Sequence, residues 1–64
     1  MANNAVKEAP PALWSIEDVA DFLQVPVKTL YQWRYKQYGP RSHRVGRYVR
    51  YFPEDVRSWV EEQV

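Results

Sequence analysis

The stretch SIEDVADFLQVPVKTLYQWR, residues 15–34, decides the fold of this 64-residue chain. In its first part Ser15 lies three residues before Asp18, which is the spacing of a capping box at a helix N-terminus. Apolar residues then recur at helical spacing, and carboxylates occupy the first turns, where they complement the helix dipole. These signals predict a short helix over about residues 15–23.

A second helix is expected after an interruption at Pro26. Proline cannot continue the interior of a helix, but it is favourable in the first turn of the next one. The second helix is therefore expected from near Pro26 to about Lys36, with Val27, Leu30 and Trp33 on one apolar face. Two short helices joined by a turn of about three or four residues form a helix-turn-helix.

A β-hairpin is expected downstream. Residues 42–45 and 48–51 flank a turn signal at Gly46-Arg47. One set of side chains is expected to face the domain: Val45, Val49 and Tyr51. Another set is expected to face outward: Arg44, Tyr48 and Arg50.

The remaining segments complete a winged helix-turn-helix, mostly α with a small β-hairpin wing, in the order helix, helix, hairpin, helix. Pro53 begins a third helix, whose inward stripe is expected to be Val56, Trp59, Val60 and Gln63. The tryptophans are expected to anchor the core: Trp14, Trp33 and Trp59. The folded domain is expected to span residues 13–64, and residues 1–12 are expected to form a flexible N-terminal tail.

The charges of the chain are segregated, which the formal net charge of +1 conceals. Residues 1–26 and 52–64 each sum to −3, whereas residues 27–51 sum to +7 and contain no Asp or Glu. Such segregation makes a directional field that attracts polyanions. A charged stretch can instead be a merely solvated face, but aromatic residues interleave this one: Tyr31, Trp33, Tyr35, Tyr38, Tyr48 and Tyr51. The combination favours nucleic-acid binding.

Other classes of protein are less compatible with the sequence. The chain has no cysteine, no apolar run near the roughly 18 residues of a membrane span, and no apolar segment typical of a secretory signal in residues 1–11. A cytoplasmic protein is therefore expected. With one histidine, no Gly-rich phosphate loop and no metal-ligand spacing, we expect no catalytic residues, no metal and no cofactor.

Several segments together resemble the MerR-like winged-helix proteins. The resemblance lies in residues 14–20 (WSIEDVA) and 25–34 (VPVKTLYQWR). Residues 39–41 (GPR), 45–51 (VGRYVRY) and 55–60 (DVRSWV) are most similar to the excisionase and AlpA-like branch. This resemblance covers roughly residues 13–62 and implies a DNA-binding protein with its second helix in the major groove and its wing in the neighbouring minor groove.

The physical properties of the residues agree with these placements. Lys28 and Gln32 share the face opposite Leu30, and Gln can form paired hydrogen bonds with adenine in the major groove. Arg47 at the hairpin tip suits a narrow minor groove, which has an enhanced negative potential. The remaining candidates are expected to contact the DNA backbone: Thr29, Tyr31, Arg41, Arg44, Tyr48 and Arg50.

Several of these residues have a structural alternative. Lys28 and Gln32 can be solvated helix positions, and Tyr31 can be half-buried against the core. Arg34 can pair with a carboxylate of the first helix such as Asp21, because long basic side chains often lay their stems on a core. His43 is expected to be an ordinary strand residue, since a lone histidine has no metal partner or catalytic companion.

Three functions compete at this level. The resemblance implies foremost a phage excisionase, or recombination directionality factor, which binds and bends attachment-site DNA as cooperative copies and helps an integrase excise a prophage in a bacterial cell. An AlpA-like small transcriptional regulator is the alternative. A larger MerR-type regulator would carry a long helix and a ligand domain, so the length of the chain favours the excisionase. A protein-interaction adaptor without a DNA role is the third reading, and the +7 segment argues against it.

Overall fold

The structure is a computed structural model that describes residues 12–64. These residues fold into a winged helix-turn-helix. The expected N-terminal tail therefore lies outside the described residues, apart from Ala12. Within 12–64, every helix is too short or too polar to cross a membrane. The elements are β1 (Trp14–Ser15), α1 (Ile16–Leu23), α2 (Val27–Tyr35), β2 (His43–Val45), β3 (Tyr48–Tyr51) and α3 (Pro53–Gln63).

The helix-turn-helix has the boundaries that its capping signals predict. The Asp18 amide donates a hydrogen bond to Ser15 Oγ at 3.0 Å, and the Ser15 amide donates one to Asp18 Oδ2 at 3.0 Å. The predicted capping box is thus confirmed. After α1 the chain reverses at Gln24, which takes the left-handed conformation with φ 61°. Pro26 then precedes α2 in an extended conformation and offers no side-chain cap.

The hairpin belongs to a three-stranded antiparallel sheet with the order β1-β3-β2. Trp14 lies opposite Tyr51 and Ser15 lies opposite Arg50, so β1 covers the edge of β3 that a two-stranded hairpin would leave free. A strand of two residues has too little alternation to be recognised in a sequence, which is why only the hairpin was predicted.

The register of the hairpin corrects two of the predicted orientations. Val45 lies opposite Tyr48, and Arg44 lies opposite Val49. Residues directly opposite each other in an antiparallel pair project from the same face. Arg44 therefore shares the helix-facing side with Val49, and Val45 lies on the other side, where its side chain is 49% exposed. The expectation that Val45 faces the domain and Arg44 faces away from it was wrong, because a two-residue turn places 45 with 48.

The core is built from smaller side chains than the sequence suggested. Tyr51 is its largest member and is 1% exposed. The other buried members are Ile16, Val19, Ala20, Leu30 and Val56. The three tryptophans are half-buried, and Trp14 and Trp33 pack against this cluster instead of filling it. In α3, Val60 is half-buried, but Gln63 is exposed and donates a hydrogen bond back to the Trp59 carbonyl, so its predicted inward position was wrong.

An aromatic cluster joins the end of α2 to α3. The Trp33 ring lies 5.1 Å from the Tyr38 ring and 5.3 Å from the Trp59 ring, measured between centroids. Gly39 lies directly on Trp33, because a Cβ at this position would be 2.7 Å from Trp33 Cε3. Its φ of +91° also favours glycine. This close approach positions the segment that follows α2. We call β2, β3 and the turn between them the wing, and this segment leads into it.

Candidate nucleic-acid interface

The outer face of α2 is polar and accessible. Lys28, Gln32 and Lys36 are exposed there, and the Tyr35 side chain is 91% exposed. Together these residues and Tyr31 line a shallow depression of about 490 Å³. We call this surface the groove face: Lys28, Tyr31, Gln32, Tyr35 and Lys36. A helix that presents such side chains away from its domain can insert them into a DNA major groove.

A second depression, of about 340 Å³, lies between the start of α1, one side of α2 and the wing. We call it the arginine cleft, because Arg34, Arg44, Arg47 and Arg50 all line it. Its other lining residues are Ile16, Glu17, Tyr31, Tyr48 and Val49. Glu17 is the single carboxylate among these described residues, so the cleft is strongly cationic.

Tyr31 connects the two depressions, because it lines both of them. Its side chain is 49% exposed, so about half of its surface faces solvent. The groove face and the wing thus form one continuous surface. The predicted contact residues on this surface are Lys28, Tyr31, Gln32, Arg44, Arg47, Tyr48 and Arg50.

The wing tip is set by its turn. Gly46 has φ +64° and takes the first position of a two-residue turn, where types I′ and II′ both require a positive φ. Arg47, beside it, is exposed. Arg50 is more constrained, because its guanidinium lies 5.0 Å from the centre of the Tyr48 ring and donates a 2.8 Å hydrogen bond to the Val49 carbonyl.

Arg34 is linked to the segment just before the wing. Its Nε–H donates a partly buried hydrogen bond of 3.1 Å to Ser42 Oγ, just before β2. The alternative pairing with Asp21 is therefore replaced by a contact that the sequence did not predict. Arg34 also lies near the buried hydroxyl of Tyr51. Burial raises the pKa of this hydroxyl above its ordinary value, and the charge of Arg34 opposes the shift.

Two predicted contact residues lie outside the lining of both depressions. Thr29 is half-buried, and its amide donates to the Pro26 carbonyl in the first turn of α2. Arg41 is exposed after the buried Pro40. Both remain predictions, with positions that suit the DNA backbone better than base edges.

His43 lies on β2 and is half-buried. Its ring meets Phe52 edge-on at 5.2 Å, and its Nε2 is buried without a hydrogen-bond partner. In the part of the chain that the structure describes, no group of three or more His, Cys, Asp or Glu side chains could hold a metal ion.

Three residues of this surface were not singled out from the sequence as contacts: Arg34, Tyr35 and Lys36. The helical periodicity of α2 already places Tyr35 and Lys36 on the side away from Leu30, so that signal could have found them. Arg34 could not be found this way, because its position depends on a contact with a residue of the next element.

A short helix-turn-helix followed by a basic wing defines the winged helix-turn-helix class of proteins. Residues 15–64 match the helix-turn-helix domain family, and the chain belongs to this family. The comparison with curated proteins gives no match. Membership of the family indicates DNA binding.

Proposed function

We propose that the protein binds a specific DNA sequence, with α2 in the major groove and the wing in the adjacent minor groove. The observation that carries this proposal is the continuity of the groove face with the arginine cleft through Tyr31. A helix fits the major groove, where the four base pairs can be distinguished by their edges. An exposed arginine at the wing tip suits the negative potential of a narrow minor groove.

The proposal divides the surface into residues that read bases and residues that hold the backbone. Lys28 and Gln32, both exposed on α2, are assigned to base edges, and Arg47 is assigned to the minor groove. The backbone contacts are assigned to Thr29, Tyr31, Arg41, Arg44, Tyr48 and Arg50. Backbone contacts set the orientation of a protein on DNA, whereas base contacts set its sequence preference.

The proposed biological role is that of an excisionase, or recombination directionality factor. In this role several copies bind adjacent sites in attachment DNA, bend it and help an integrase excise a prophage from bacterial DNA. The resemblance of the helix-turn-helix and wing segments to the excisionase branch supports this role. Exposed carboxylates on α1 and α3 offer a further argument, because they can meet the basic surface of a neighbouring copy: Asp18, Asp21, Glu54, Glu61 and Glu62.

DNA binding itself is tested by selecting a preferred site from a random duplex library and measuring its affinity at several salt concentrations. Neutralising about five phosphates predicts a log–log slope near −4.5. A steep slope together with enrichment of one motif supports the DNA-binding proposal. An affinity for duplex that ignores salt would instead favour an interaction adaptor with no DNA role.

The excisionase role is tested with tandem copies of the selected site. Fluorescence energy transfer between the duplex ends reports bending, and footprinting reports whether adjacent sites fill cooperatively. A supercoiled plasmid carrying the attachment sites, with the integrase encoded nearest the gene, then reports excision with and without the protein. Stimulated excision supports the role. Occupancy of a single promoter site, without cooperativity or any effect on excision, would assign the protein to transcriptional regulation.

A further inference from the structure

We propose that the arginine cleft is a phosphate-binding site, in which Arg34 from α2 and Arg44 from β2 hold one phosphate group. This inference rests on the proposed function, because the DNA backbone is the nearest source of that group. Arg34 thereby joins the residues that contact DNA, and α2 and the wing bind the same phosphate.

The charge of the cleft favours an anion of high charge density. Four arginines line it with one carboxylate, Glu17. A phosphate between them would relieve their mutual repulsion, and the planar guanidinium fork matches phosphate oxygens with two parallel hydrogen bonds. The volume of about 340 Å³ leaves room for a phosphodiester group.

Arg34 is arranged to bind a ligand with the part of its guanidinium that the protein leaves available. A guanidinium has about five N–H donors, of which Nε supplies one. In Arg34 the Nε–H group donates a hydrogen bond of 3.1 Å to Ser42 Oγ, and this bond fixes the plane of the guanidinium. The terminal nitrogens are then presented by a side chain that is already ordered, so binding costs less conformational entropy than at an unrestrained arginine.

Arg44 lines the same cleft from the wing. The hairpin register places it opposite Val49, on the helix-facing side of the wing, although the side chain remains exposed. Ser42 lies two residues before Arg44, so its hydrogen bond with Arg34 also sets the distance between α2 and the start of β2. Ser42 is thus a positioning residue for both arginines.

The position of the cleft suits one particular phosphate of bound DNA. Tyr31 lines both the cleft and the groove face, and Arg47 of the wing also lines the cleft. A DNA strand that separates a major groove occupied by α2 from a minor groove occupied by Arg47 must pass between these two residues. A phosphate in the cleft therefore fixes the register of the helix and the wing together.

The first test titrates the selected duplex with the full chain and its Arg34→Ala, Arg34→Lys and Ser42→Ala variants. Arg34→Ala should bind about tenfold more weakly, and its salt slope should be shallower by about 0.9, the value of one phosphate contact. Arg34→Lys keeps the positive charge but lacks the planar guanidinium fork, so its duplex affinity should lie between those of the wild type and Arg34→Ala. Arg57→Ala on α3 removes the same charge outside the cleft and should change neither quantity.

A scan of methylphosphonates, each of which removes the charge of one phosphate, locates the contact. One position should weaken the wild-type protein about tenfold and leave Arg34→Ala unaffected. If Arg34→Ala does not melt like the wild type by circular dichroism, Arg34→Lys and Ser42→Ala decide the result at that position. Duplex binding that is insensitive to all three variants means that no DNA phosphate occupies the cleft.

A second arm distinguishes a DNA phosphate from a free one. Inorganic pyrophosphate is titrated into isotope-labelled protein, and the Nε–H resonances of Arg34 and Arg44 are followed. Saturable shifts of the Arg44 resonance that Arg34→Ala abolishes, with unchanged duplex affinity, would identify a site for free phosphate compounds. If neither duplex nor pyrophosphate distinguishes Arg34→Ala from the wild type, the inference is overturned. Failure of the proposed function is a different result, namely a wild-type protein that binds no duplex.

Discussion

The inner and outer sides of α2 differ in what they contact. On the inner side Leu30 is fully buried, and Trp33 packs against Gly39 and Trp59. On the outer side Gln32 is exposed, and Tyr35 is 91% exposed. One side is therefore held by packing, whereas the other faces solvent. The packed side of α2 therefore supports the fold, and the exposed side carries the residues that we propose for DNA recognition.

The largest effect is expected where the packing around Trp33 is most crowded. In Gly39→Ala the new Cβ would lie 2.7 Å from Trp33 Cε3, at a backbone position with φ +91°. Overpacking and the unfavourable left-handed conformation together should lower the free energy of unfolding by about 3 kcal/mol. Urea denaturation followed by tryptophan fluorescence measures this loss.

Gly46→Ala is the matched control for that substitution. Gly46 also has a positive φ, +64°, but a Cβ there would have no atom within 4 Å. Gly46→Ala should therefore lower the free energy of unfolding by only about 1 kcal/mol, which is the cost of placing alanine in the left-handed conformation. Equal losses for the two variants would mean that Trp33 moves aside without cost and that the inner side of α2 is not tightly packed.

On the outer surface, the largest expected effect belongs to Arg47. Replacing it with alanine removes an exposed cation at the wing tip, so duplex affinity should fall by about 2 kcal/mol and bending should decrease. The free energy of unfolding should change by no more than about 0.5 kcal/mol. Anisotropy, energy transfer and urea denaturation measure the three quantities.

Arg57→Ala provides the comparison, because Arg57 is an exposed arginine on α3 whose guanidinium lies over Phe22. It removes the same charge at a distance from the groove face and the arginine cleft. We expect no change in bending. If both arginine variants weaken binding equally, affinity depends on overall charge and the wing tip has no special role.

A smaller effect, on sequence preference, is expected for Gln32→Ala. The selected site and a version with one adenine replaced should differ less in affinity, by about 1–3 kcal/mol, because the paired hydrogen bonds to adenine are lost. Competition between the two duplexes measures this difference. Gln63→Ala, at an exposed glutamine on α3, should leave the preference unchanged. Unaltered discrimination in Gln32→Ala would remove that residue from the base contacts.

The elements of the fold could be predicted where their signals are local. Ser15 with Asp18 begins α1, and Pro26 precedes α2, because capping and proline geometry act within one turn. The strand β1 could not be predicted, since its stability comes from pairing with β3, which lies far along the chain. The hairpin faces were assigned wrongly for Val45 and Arg44, although the two-residue turn already implies their register.

The candidate site follows the same division. Periodicity alone places Lys28 and Gln32 on the outer side of α2, and the turn signal places Arg47 at the wing tip. Arg34 is different, because its partner Ser42 comes close only after the chain has turned through Gly39 and Pro40. A sequence pattern identifies the face of one element, whereas a cleft between two elements requires their packing.

The smallest expected effect concerns Tyr51 of β3, which is buried and lies near Arg34 of α2. Burial raises the pKa of the Tyr51 hydroxyl above its ordinary value of 10.0, although the charge of Arg34 opposes this shift. The folded state then holds the proton more tightly than the unfolded state. Its contribution to stability is complete below the ordinary pKa and is lost as the pH rises through the folded-state pKa.

Tyr51→Phe removes this titration, so its free energy of unfolding should fall less steeply than that of the wild type above about pH 10. Urea denaturation at stepped alkaline pH gives the two slopes. Tyr35→Phe is the control, because it removes a hydroxyl from a side chain that is 91% exposed, and its slope should match the wild type. Identical slopes for Tyr51→Phe and the wild type would mean that the hydroxyl reaches solvent. Tyr51 would then belong to the accessible surface beside Arg34 instead of to the packed side of the domain.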